Sequence, residues 1–323
     1  MDHVTLGRTG IKVSKLCYGT MSFGGDADEE ESVRLFRACR DAGINFFDCA
    51  DVYNGGRAEE ILGRLIAPDR DNLVITTKAA MVAGDDPNAR GANRRHILRA
   101  VEGSLRRLNT DRVDILFMHR FDDTVPLEET LRALEALVAQ GKVLYLGASN
   151  YAAWQIAKSL GISERQGWPR IDVIQPMYNL VKRQAEVEMF PLALAENIAV
   201  VNYNPVGGGL LAGKYGPGVR PPSGRLVDNP HYAVRYGEDW ALDTAAAFTA
   251  FAAERGVHPV TLAVAWAAAH EAVTAPIIGA RNVGQLEASL AAAEFNMTPD
   301  LRAEISALSR TPPPATDRIE EQV

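Results

Sequence analysis

Four side chains of this sequence could together transfer a proton: a carboxylate, a phenol, an ammonium and an imidazole. Asp48, Lys78 and His119 each end a strand-like apolar run, and Tyr53 stands five residues after Asp48. A phenol titrates near ~10, so it needs help from its neighbours to donate a proton at neutral pH. A nearby ammonium favours the phenolate, so Lys78 could lower the pKa of Tyr53 while Asp48 holds Lys78 charged. His119 could orient a carbonyl oxygen by hydrogen bonding.

Each of these side chains, taken alone, has a more ordinary structural explanation. Acids and lysines at strand ends are usually solvated or ion-paired, and a single histidine is most often only hydrogen-bonded. The four indicate a site much more strongly if the elements that carry them lie side by side. The arrangement of the predicted strands therefore decides how much weight they have.

Strand-like and helix-like segments alternate from residue 17 to residue 290. The sequence predicts eight strands, over residues 16–19, 45–48, 73–78, 113–119, 143–147, 173–175, 199–202 and 274–278. Amphipathic segments predict helices between them, including residues 29–42, 93–108, 126–140 and 183–196. Strands that are apolar on both faces indicate a parallel sheet covered by helices, and eight such units fit a (β/α)8 TIM barrel. Because active sites of this barrel lie at the carboxyl ends of its strands, Asp48, Lys78 and His119 should be neighbours.

The segments outside the eight units predict additions to one barrel domain that spans residues 1–323. Residues 4–13 predict an N-terminal β-hairpin with a Gly/Thr turn. Residues 216–224 are rich in Pro and Gly and predict a surface loop, of the kind that often forms a lid. The tail from residue 311 onward should be extended.

Composition and charge exclude several classes of protein. The formal net charge is −7, and no basic stripe indicates nucleic-acid binding. No apolar run approaches the ~18 residues of a membrane span, and the N-terminus is not a signal peptide, so we expect a cytoplasmic protein. Cys17, Cys39 and Cys49 lack metal-ligand spacing, and we expect no metal. Cys17 and Cys49 fall on or beside predicted strands and should be buried thiols. The expected partner is a small-molecule substrate. The sequence does not determine whether the protein forms a homo-oligomer.

Residues 43–62 closely resemble the signature of the aldo-keto reductases. Further matching blocks follow in family order, at residues 75–78, 114–120, 141–150, 175–179, 204–215 and 277–281. The resemblance implies reduction of an aldehyde or ketone by NADPH on a (β/α)8 barrel, with the reverse oxidation of an alcohol or sugar. It also implies a catalytic tetrad of Asp48, Tyr53, Lys78 and His119, in which Tyr53 is the general acid.

A dinucleotide here would not use the Rossmann fingerprint, because no Gly-x-Gly-x-x-Gly follows a strand. The segment from Gly208 to Lys214 resembles a P-loop, but Tyr215 stands where Mg²⁺ binding needs Ser or Thr. Gly207 and the glycines after it would instead let backbone amides approach a pyrophosphate. The resemblance assigns the cofactor to Thr20, Met21, Asp48, Ser149, Asn150, Gln175, Tyr203, Asn204, Pro205, Val206, Gly207, Gly208, Lys214, Arg225, Gly279, Arg281 and Gln285.

Within that set the resemblance implies distinct roles. The nicotinamide amide would be held by Ser149, Asn150 and Gln175, whose side chains offer both donors and acceptors, and Tyr203 would stack on the ring. Lys214 and Arg225 would bind phosphates. Gly279 and Arg281 would line the adenosine end, with Gln285 at the adenine. The bidentate fork of arginine suits a 2′-phosphate, so NADPH is favoured and NADH is possible.

Two positions depart from the family pattern. Ala288 and Ser289 stand where the family often has Glu-Asn, which removes an acidic contact to the adenine. Asn204 stands where many members have Ser, and it keeps both a donor and an acceptor.

Substrate residues are harder to assign, and two other functions compete. We expect Met21, Tyr53, Met81, His119 and Arg120 to line the substrate pocket. One alternative is an NAD-dependent sugar 1-dehydrogenase, which works oxidatively. Another is a cofactor-binding regulatory protein, since some family members are β-subunits of ion channels. Such members can lack the histidine of the tetrad, so its presence here favours an enzyme.

Overall fold

The computed structural model describes residues 1–82 and 84–322, and its centre is a parallel eight-stranded sheet. An antiparallel hairpin comes first, formed by β1 (His3–Thr5) and β2 (Lys12–Ser14). The parallel strands are β3 (Cys17–Gly19), β4 (Phe46–Asp48), β5 (Val74–Ala79), β6 (Val113–Met118), β7 (Val143–Ser149), β8 (Ile171–Gln175), β9 (Ala199–Val200) and β10 (Ile277–Ile278). The predicted hairpin and all eight predicted strands are confirmed.

The sheet closes on itself. Strands β3 to β9 pair with their neighbours in chain order, and β10 pairs with β3. At the other edge, the amide of Thr274 donates to the carbonyl of Val200 at 2.8 Å, and that of Ile277 to the carbonyl of Asn202 at 2.8 Å. These bonds join β9 to the segment that leads into β10. The predicted (β/α)8 barrel is confirmed.

The helices that cover the barrel are α1 (Glu29–Asp41), α2 (Arg57–Ile66), α3 (Arg94–Leu108), α4 (Leu127–Ala139), α5 (Ala153–Gln166), α6 (Met189–Glu196), α7 (Arg225–Asp228), α8 (Pro230–Tyr236), α9 (Asp239–Glu254), α10 (Pro259–Ala268), α11 (Val283–Leu290) and α12 (Pro299–Ser306). Sequence signals set their ends. The Asp28 side chain accepts from the amide of Glu31 and caps α1, and Asn93 caps α3 in the same way. Gly43, with φ of 83°, follows α1 in the left-handed conformation that ends many helices.

One predicted helix is wrong in its extent. Residues 183–196 form a short 3-10 turn at Gln184–Glu186 and then α6, instead of one continuous helix. Pro191 is the third residue of α6, where its missing amide is tolerated. A helix that began earlier would place Pro191 in its interior, where the ring clashes with the preceding turn.

The hairpin packs into the barrel core. Leu6 and Val13 are fully buried in one cluster with Cys17, Phe46 and other strand residues. This apolar layer fills the amino-terminal side of the barrel and leaves polar side chains for the carboxyl ends of the strands. Cys17 and Cys49 are buried, as predicted, and so is Cys39; all three are free thiols. No helix in the described part of the chain is long and apolar enough to cross a membrane.

Candidate active site

The predicted acid, ammonium and phenol lie together at the carboxyl ends of β4 and β5. The Lys78 ammonium donates to Asp48 Oδ2 at 2.6 Å and lies 3.1 Å from the Tyr53 hydroxyl. It also donates to the carbonyl oxygen of Cys49 at 2.7 Å. The three hydrogen bonds account for all three ammonium protons. Lys78 is therefore fixed between the carboxylate and the phenol.

Asp48 is held on its other side by two neighbours. Its Oδ1 accepts from the Thr76 hydroxyl at 2.7 Å and from the Gln175 amide at 2.9 Å. The side chain of Lys78 is fully buried and that of Asp48 is 4% exposed. A buried ion pair is stable only when its remaining polar atoms are also satisfied, and here they are. The resemblance assigns Gln175 to the nicotinamide amide, but its side-chain nitrogen donates a hydrogen bond to Asp48.

A braced loop presents Tyr53. This residue begins the 3-10 turn Tyr53–Gly56, in which Asn54, Gly55 and Gly56 all have positive φ. The Asn54 side-chain amide donates to the carbonyls of Met21 at 2.9 Å and Phe23 at 2.8 Å. Asn54 thereby ties the tyrosine loop to the loop after β3. The sequence analysis did not single out this brace.

Burial and the ammonium act in opposite directions on Tyr53. Burial raises the pKa of Tyr53 and Lys78 lowers it, with a result of about 12. Lys78 thus acts in the expected direction, but desolvation is the larger effect and the pKa of Tyr53 is raised overall. Burial alone would lower the pKa of Lys78, but Asp48 and Tyr53 raise it above its ordinary value. A protonated phenol beside a charged lysine suits a proton donor.

His119 stands beside Tyr53 as a neutral imidazole. Its backbone amide donates to the Ala79 carbonyl at 2.8 Å, which continues the β5–β6 pairing. The two rings meet edge to face, with centroids 6.0 Å apart. Burial, and then the charge of Lys78, lower the pKa of His119 to about 3. Its Nδ1 is buried and has no hydrogen-bond partner among the described residues. Such a nitrogen needs a partner, which a ligand could supply.

The four residues predicted for the nicotinamide form one hydrogen-bond network next to His119. The Ser149 hydroxyl donates to the Gln175 carbonyl at 3.0 Å. The Tyr203 hydroxyl donates to Asn150 Oδ1 at 2.7 Å, and the amide of Asn150 donates to the His119 carbonyl at 2.9 Å. Exposed Asn150 thus connects the predicted stacking tyrosine to the strand that carries the histidine. The network reaches the backbone of His119, which lies beside Tyr53.

The glycine run after β9 adopts left-handed backbone conformations. Gly207, Gly208 and Gly209 have φ of 62°, 66° and 101°, which residues with a Cβ rarely adopt. A Cβ at Gly208 would lie 2.6 Å from the Tyr232 ring. Successive residues in such conformations turn backbone amides toward one side, as in known phosphate-binding loops. Here, however, the amides of Gly207 and Gly209 donate to the carbonyls of Asn204 at 2.9 Å and of Val206 at 3.1 Å, so these two amides bind within the loop.

The other residues predicted for the phosphates lie close to this run. Lys214 is exposed, and its Cε lies 3.8 Å from the position of a Cβ on Gly209. Arg225 begins α7, with its guanidinium 5.4 Å from the Tyr232 ring. Asn204 has a buried amide nitrogen that no described residue pairs, and it is followed by buried Pro205 and half-buried Val206. These positions are compatible with a bound dinucleotide.

The adenosine end contains an ion pair that the sequence analysis missed. Arg281 Nε lies 3.0 Å from Asp26 Oδ2, and both side chains are partly exposed. The Arg281 amide donates to Gln285 Oε1 at 3.1 Å. Gly279 is exposed on the same loop. An acid beside the arginine predicted for a 2′-phosphate would compete with that phosphate.

The remaining residues predicted for the cofactor or the substrate pocket differ in their surroundings. Thr20 is buried and donates to the Asp48 carbonyl at 3.0 Å, so it supports the strand instead of facing a ligand. Met21 is 41% exposed and Arg120 is exposed. The carbonyl of half-buried Met81 lies 3.0 Å from His96 Nε2. Met21 and Arg120 are therefore accessible to a substrate, and Met81 is partly so.

An open groove of about 760 Å³ is formed by the segments that follow β5 and β6 and by the first turn of α5. Its lining includes Arg120, the residue after His119. Arg120 and Phe121 line it together with Trp154, which is 61% exposed. Phe121 packs edge to face on Trp154, with ring centroids 6.0 Å apart. Exposed aromatic rings in a groove mark a surface that binds flat apolar groups.

The fold and the site define a (β/α)8-barrel protein with a buried Asp–Lys ion pair beside a tyrosine at its carboxyl face. The family model described as the aldo/keto reductase family matches residues 15–310. The chain belongs to this family, which confirms the resemblance and the oxidoreductase class.

Similar proteins carry several different names. One from Oryza sativa subsp. japonica, a probable voltage-gated potassium channel subunit beta, is 36% identical over 98% of this chain and 99% of its own length. The uncharacterized oxidoreductase YrpG of Bacillus subtilis is 36% identical, over 93% of this chain and 94% of its own. The versiconal hemiacetal acetate reductase of Aspergillus parasiticus is 32% identical, with the same coverage. Both enzymes and channel subunits therefore occur among the relatives.

Proposed function

We propose that this protein is one barrel domain that reduces an aldehyde or ketone with NADPH, and that Tyr53 donates the proton. The observation that carries the proposal is the 3.1 Å contact between the Tyr53 hydroxyl and the buried ammonium of Lys78. A permanently charged lysine at this place stabilises the phenolate as the proton leaves. When an alcohol or sugar is oxidised, the Tyr53 phenolate would accept the proton instead.

Each residue of the site has a separate role in the proposed reaction. When bound, the reduced nicotinamide supplies hydride to the carbonyl carbon. Tyr53 gives its proton to the carbonyl oxygen, and Asp48 keeps Lys78 charged and in place. Neutral His119 can donate one hydrogen bond to the same oxygen, because an imidazole with a pKa of about 3 carries a single N–H at neutral pH. Both donors then stabilise the charge that develops on oxygen.

The cofactor would lie along the rim from β7 to β10. Asn150, Ser149 and Tyr203 would hold the nicotinamide end, and the glycine run with Lys214 and Arg225 would hold the pyrophosphate. Arg281 and Gln285 would hold the adenosine end. Support for this placement comes from the positive φ values of the glycines and from the unpaired amide of Asn204.

We expect Arg281→Ala to weaken binding of NADPH by about tenfold and binding of NADH by less than about threefold. A charge-assisted hydrogen bond contributes roughly 1.5–3 kcal/mol, and only NADPH carries the 2′-phosphate that would receive it. Calorimetric titration of both nucleotides measures the difference. Arg255, which is paired with Glu304 and equally exposed, provides the matched control in Arg255→Ala. An equal loss for both nucleotides would place the 2′-phosphate elsewhere.

Trp154→Ala should raise the KM for aromatic aldehydes by about tenfold and change the KM for small aliphatic aldehydes little. The exposed indole offers stacking area that only a flat substrate can use. Initial rates with matched aromatic and aliphatic substrates test this. Trp240→Ala, on α9, serves as the control. A uniform change across both substrate classes would show that the groove does not select the substrate.

A second candidate is a cofactor-binding regulatory subunit, which is favoured by the similarity to a probable potassium channel β-subunit. The complete tetrad favours an enzyme instead. A third candidate, an NAD-dependent sugar dehydrogenase, gains support from Asp26, which competes for Arg281. Initial rates in both directions with both cofactors separate the two enzymes. Nucleotide binding without any turnover would identify the regulatory subunit.

A further inference from the structure

Asp51 is a buried acid without a hydrogen-bond partner, two residues before the proposed proton donor. The residue is 8% exposed, and neither carboxyl oxygen has a hydrogen-bond partner among the described residues. Its backbone is tied to the site, because the Asp51 amide donates to the Lys78 carbonyl at 3.2 Å. The Tyr53 amide donates to the Ala50 carbonyl at 3.2 Å within the same loop. Asp51 and Tyr53 are therefore held in one short loop, and a displacement of Asp51 should also displace Tyr53.

The charged groups around Asp51 are already paired with other partners. Glu59, on α2, is fully buried and accepts from the Thr77 hydroxyl at 2.5 Å and from Arg107 Nε at 2.7 Å. Lys78 uses its three protons on other atoms. No described cation therefore forms an ion pair with Asp51, although it lies near a second acid. The arrangement favours a carboxyl group that keeps its proton.

The balance of charges agrees with this geometry. Burial is the largest influence on Asp51, followed by the repulsion of Glu59, and both raise its pKa. Arg107, the amide of Val52 and Lys78 act in the opposite direction, and the pKa is raised to about 7. The pKa values of Tyr53, about 12, and His119, about 3, lie far from this value. Of these three groups, Asp51 is therefore the one whose pKa lies near neutral pH.

We propose that Asp51 is a positioning residue that works as a neutral carboxylic acid, and that its ionisation displaces the loop presenting Tyr53 to Lys78. The inference rests on the proposed role of Tyr53. A charged Asp51 would lie unsolvated beside Glu59, so the loop would open to hydrate it. Opening breaks the contact of Tyr53 with Lys78, and carbonyl reduction stops. The released proton passes to solvent.

The first test is the pH dependence of kcat for a small aldehyde at saturating NADPH. Wild type should lose at least tenfold in kcat between pH 6 and pH 9, since a single ionisation near pH 7 removes ~99% of the neutral form by pH 9. Asp51→Asn, a neutral mimic of the same size, should lose less than about twofold over this range. An unchanged alkaline loss in Asp51→Asn would overturn the proposal.

Asp114 provides a matched control, because it is equally buried but has hydrogen-bond partners on one carboxyl oxygen. Its Oδ2 accepts from Arg70 at 2.8 Å and from the Ile75 amide at 2.9 Å. Asp114→Asn should keep the wild-type pH profile of kcat. If it also flattened the profile, the effect would come from removing any buried acid, and the assignment to Asp51 would fall.

Stability gives a readout that does not depend on enzyme activity. An acid whose pKa is raised by folding makes the folded state hold a proton that the unfolded chain has lost above pH ~4, so stability falls as the pH rises toward 7. Between pH 5 and pH 8, the unfolding constant of wild type relative to Asp51→Asn should rise by about 10²-fold in urea titrations. A constant ratio, or failure of Asp51→Asn to fold, would overturn the proposal. If no carbonyl is reduced at any pH, the proposed function fails while this measurement still decides the state of Asp51.

Discussion

Replacing Tyr53 by phenylalanine should lower kcat for carbonyl reduction by ~10²–10⁴-fold, the usual contribution of a positioned general acid. The ring would stay beside His119, and Lys78 would keep its bonds to Asp48 and Cys49. The dissociation constant of NADPH should therefore change by less than about twofold. Steady-state rates and a fluorescence titration of NADPH together measure both effects.

The matched control for this substitution is Tyr145→Phe. Tyr145 is a half-buried tyrosine whose hydroxyl donates to the Thr9 carbonyl at 3.3 Å, outside the candidate site. Its loss should leave kcat within about twofold of wild type. Equal losses of kcat and of NADPH affinity in Tyr53→Phe would show that the hydroxyl binds cofactor instead of donating a proton.

Replacing Lys78 by methionine should be the most damaging change to stability in the site. It leaves the Asp48 carboxylate buried without its counter-charge, which typically costs ~3–5 kcal/mol of unfolding free energy. It also removes the charge that stabilises the Tyr53 phenolate, so kcat should fall by at least ~10²-fold. Urea unfolding and steady-state rates at the same pH measure the two losses.

The double variant Asp48→Asn with Lys78→Met separates these two roles of the lysine. Removing both charges should recover much of the lost stability, because no uncompensated ion remains. It should recover none of the activity, because the phenol still lacks the ammonium. Lys15→Met serves as control, since its solvent-exposed ion pair with Asp2 is screened by water and should contribute little to stability. Restored turnover in the double variant would contradict the role given to Lys78.

The sequence could predict the parts of the site that depend on neighbouring strands. Asp48 and Lys78 end strands that follow each other in the chain, and consecutive strands of a parallel barrel are adjacent. Their ion pair therefore follows from the strand pattern alone. The glycine run after β9 was also readable, because three successive glycines indicate backbone conformations that other residues avoid.

Contacts that cross the barrel or join distant loops could not be predicted in this way. The Gln175 amide reaches Asp48 from β8, and Arg281 meets Asp26 across the loops after β10 and β3. Both depend on the closure of the barrel. The pKa of Tyr53 depends on how far the effect of burial outweighs that of the Lys78 charge. The spacing of residues in the sequence does not reveal the relative size of these two effects.

Asp51 shows the same limit most clearly. Its position in the loop before Tyr53 is consistent with an ordinary solvated acid. Only the packing of α2 and α3 against that loop, through Glu59 and Arg107, removes water and assigns the available cation to Glu59. A short polar loop in the sequence thus becomes a buried acidic pair in the fold.

The most direct measurement of the central claim is the rate of NADPH oxidation by the purified protein over a panel of aldehydes and ketones, with the NADPH dissociation constant measured in parallel. Carbonyl-dependent oxidation that disappears in Tyr53→Phe, while NADPH still binds, is the result that a Tyr53 proton donor predicts. Tight NADPH binding with no turnover of any carbonyl would contradict it and would assign the barrel a cofactor-binding role.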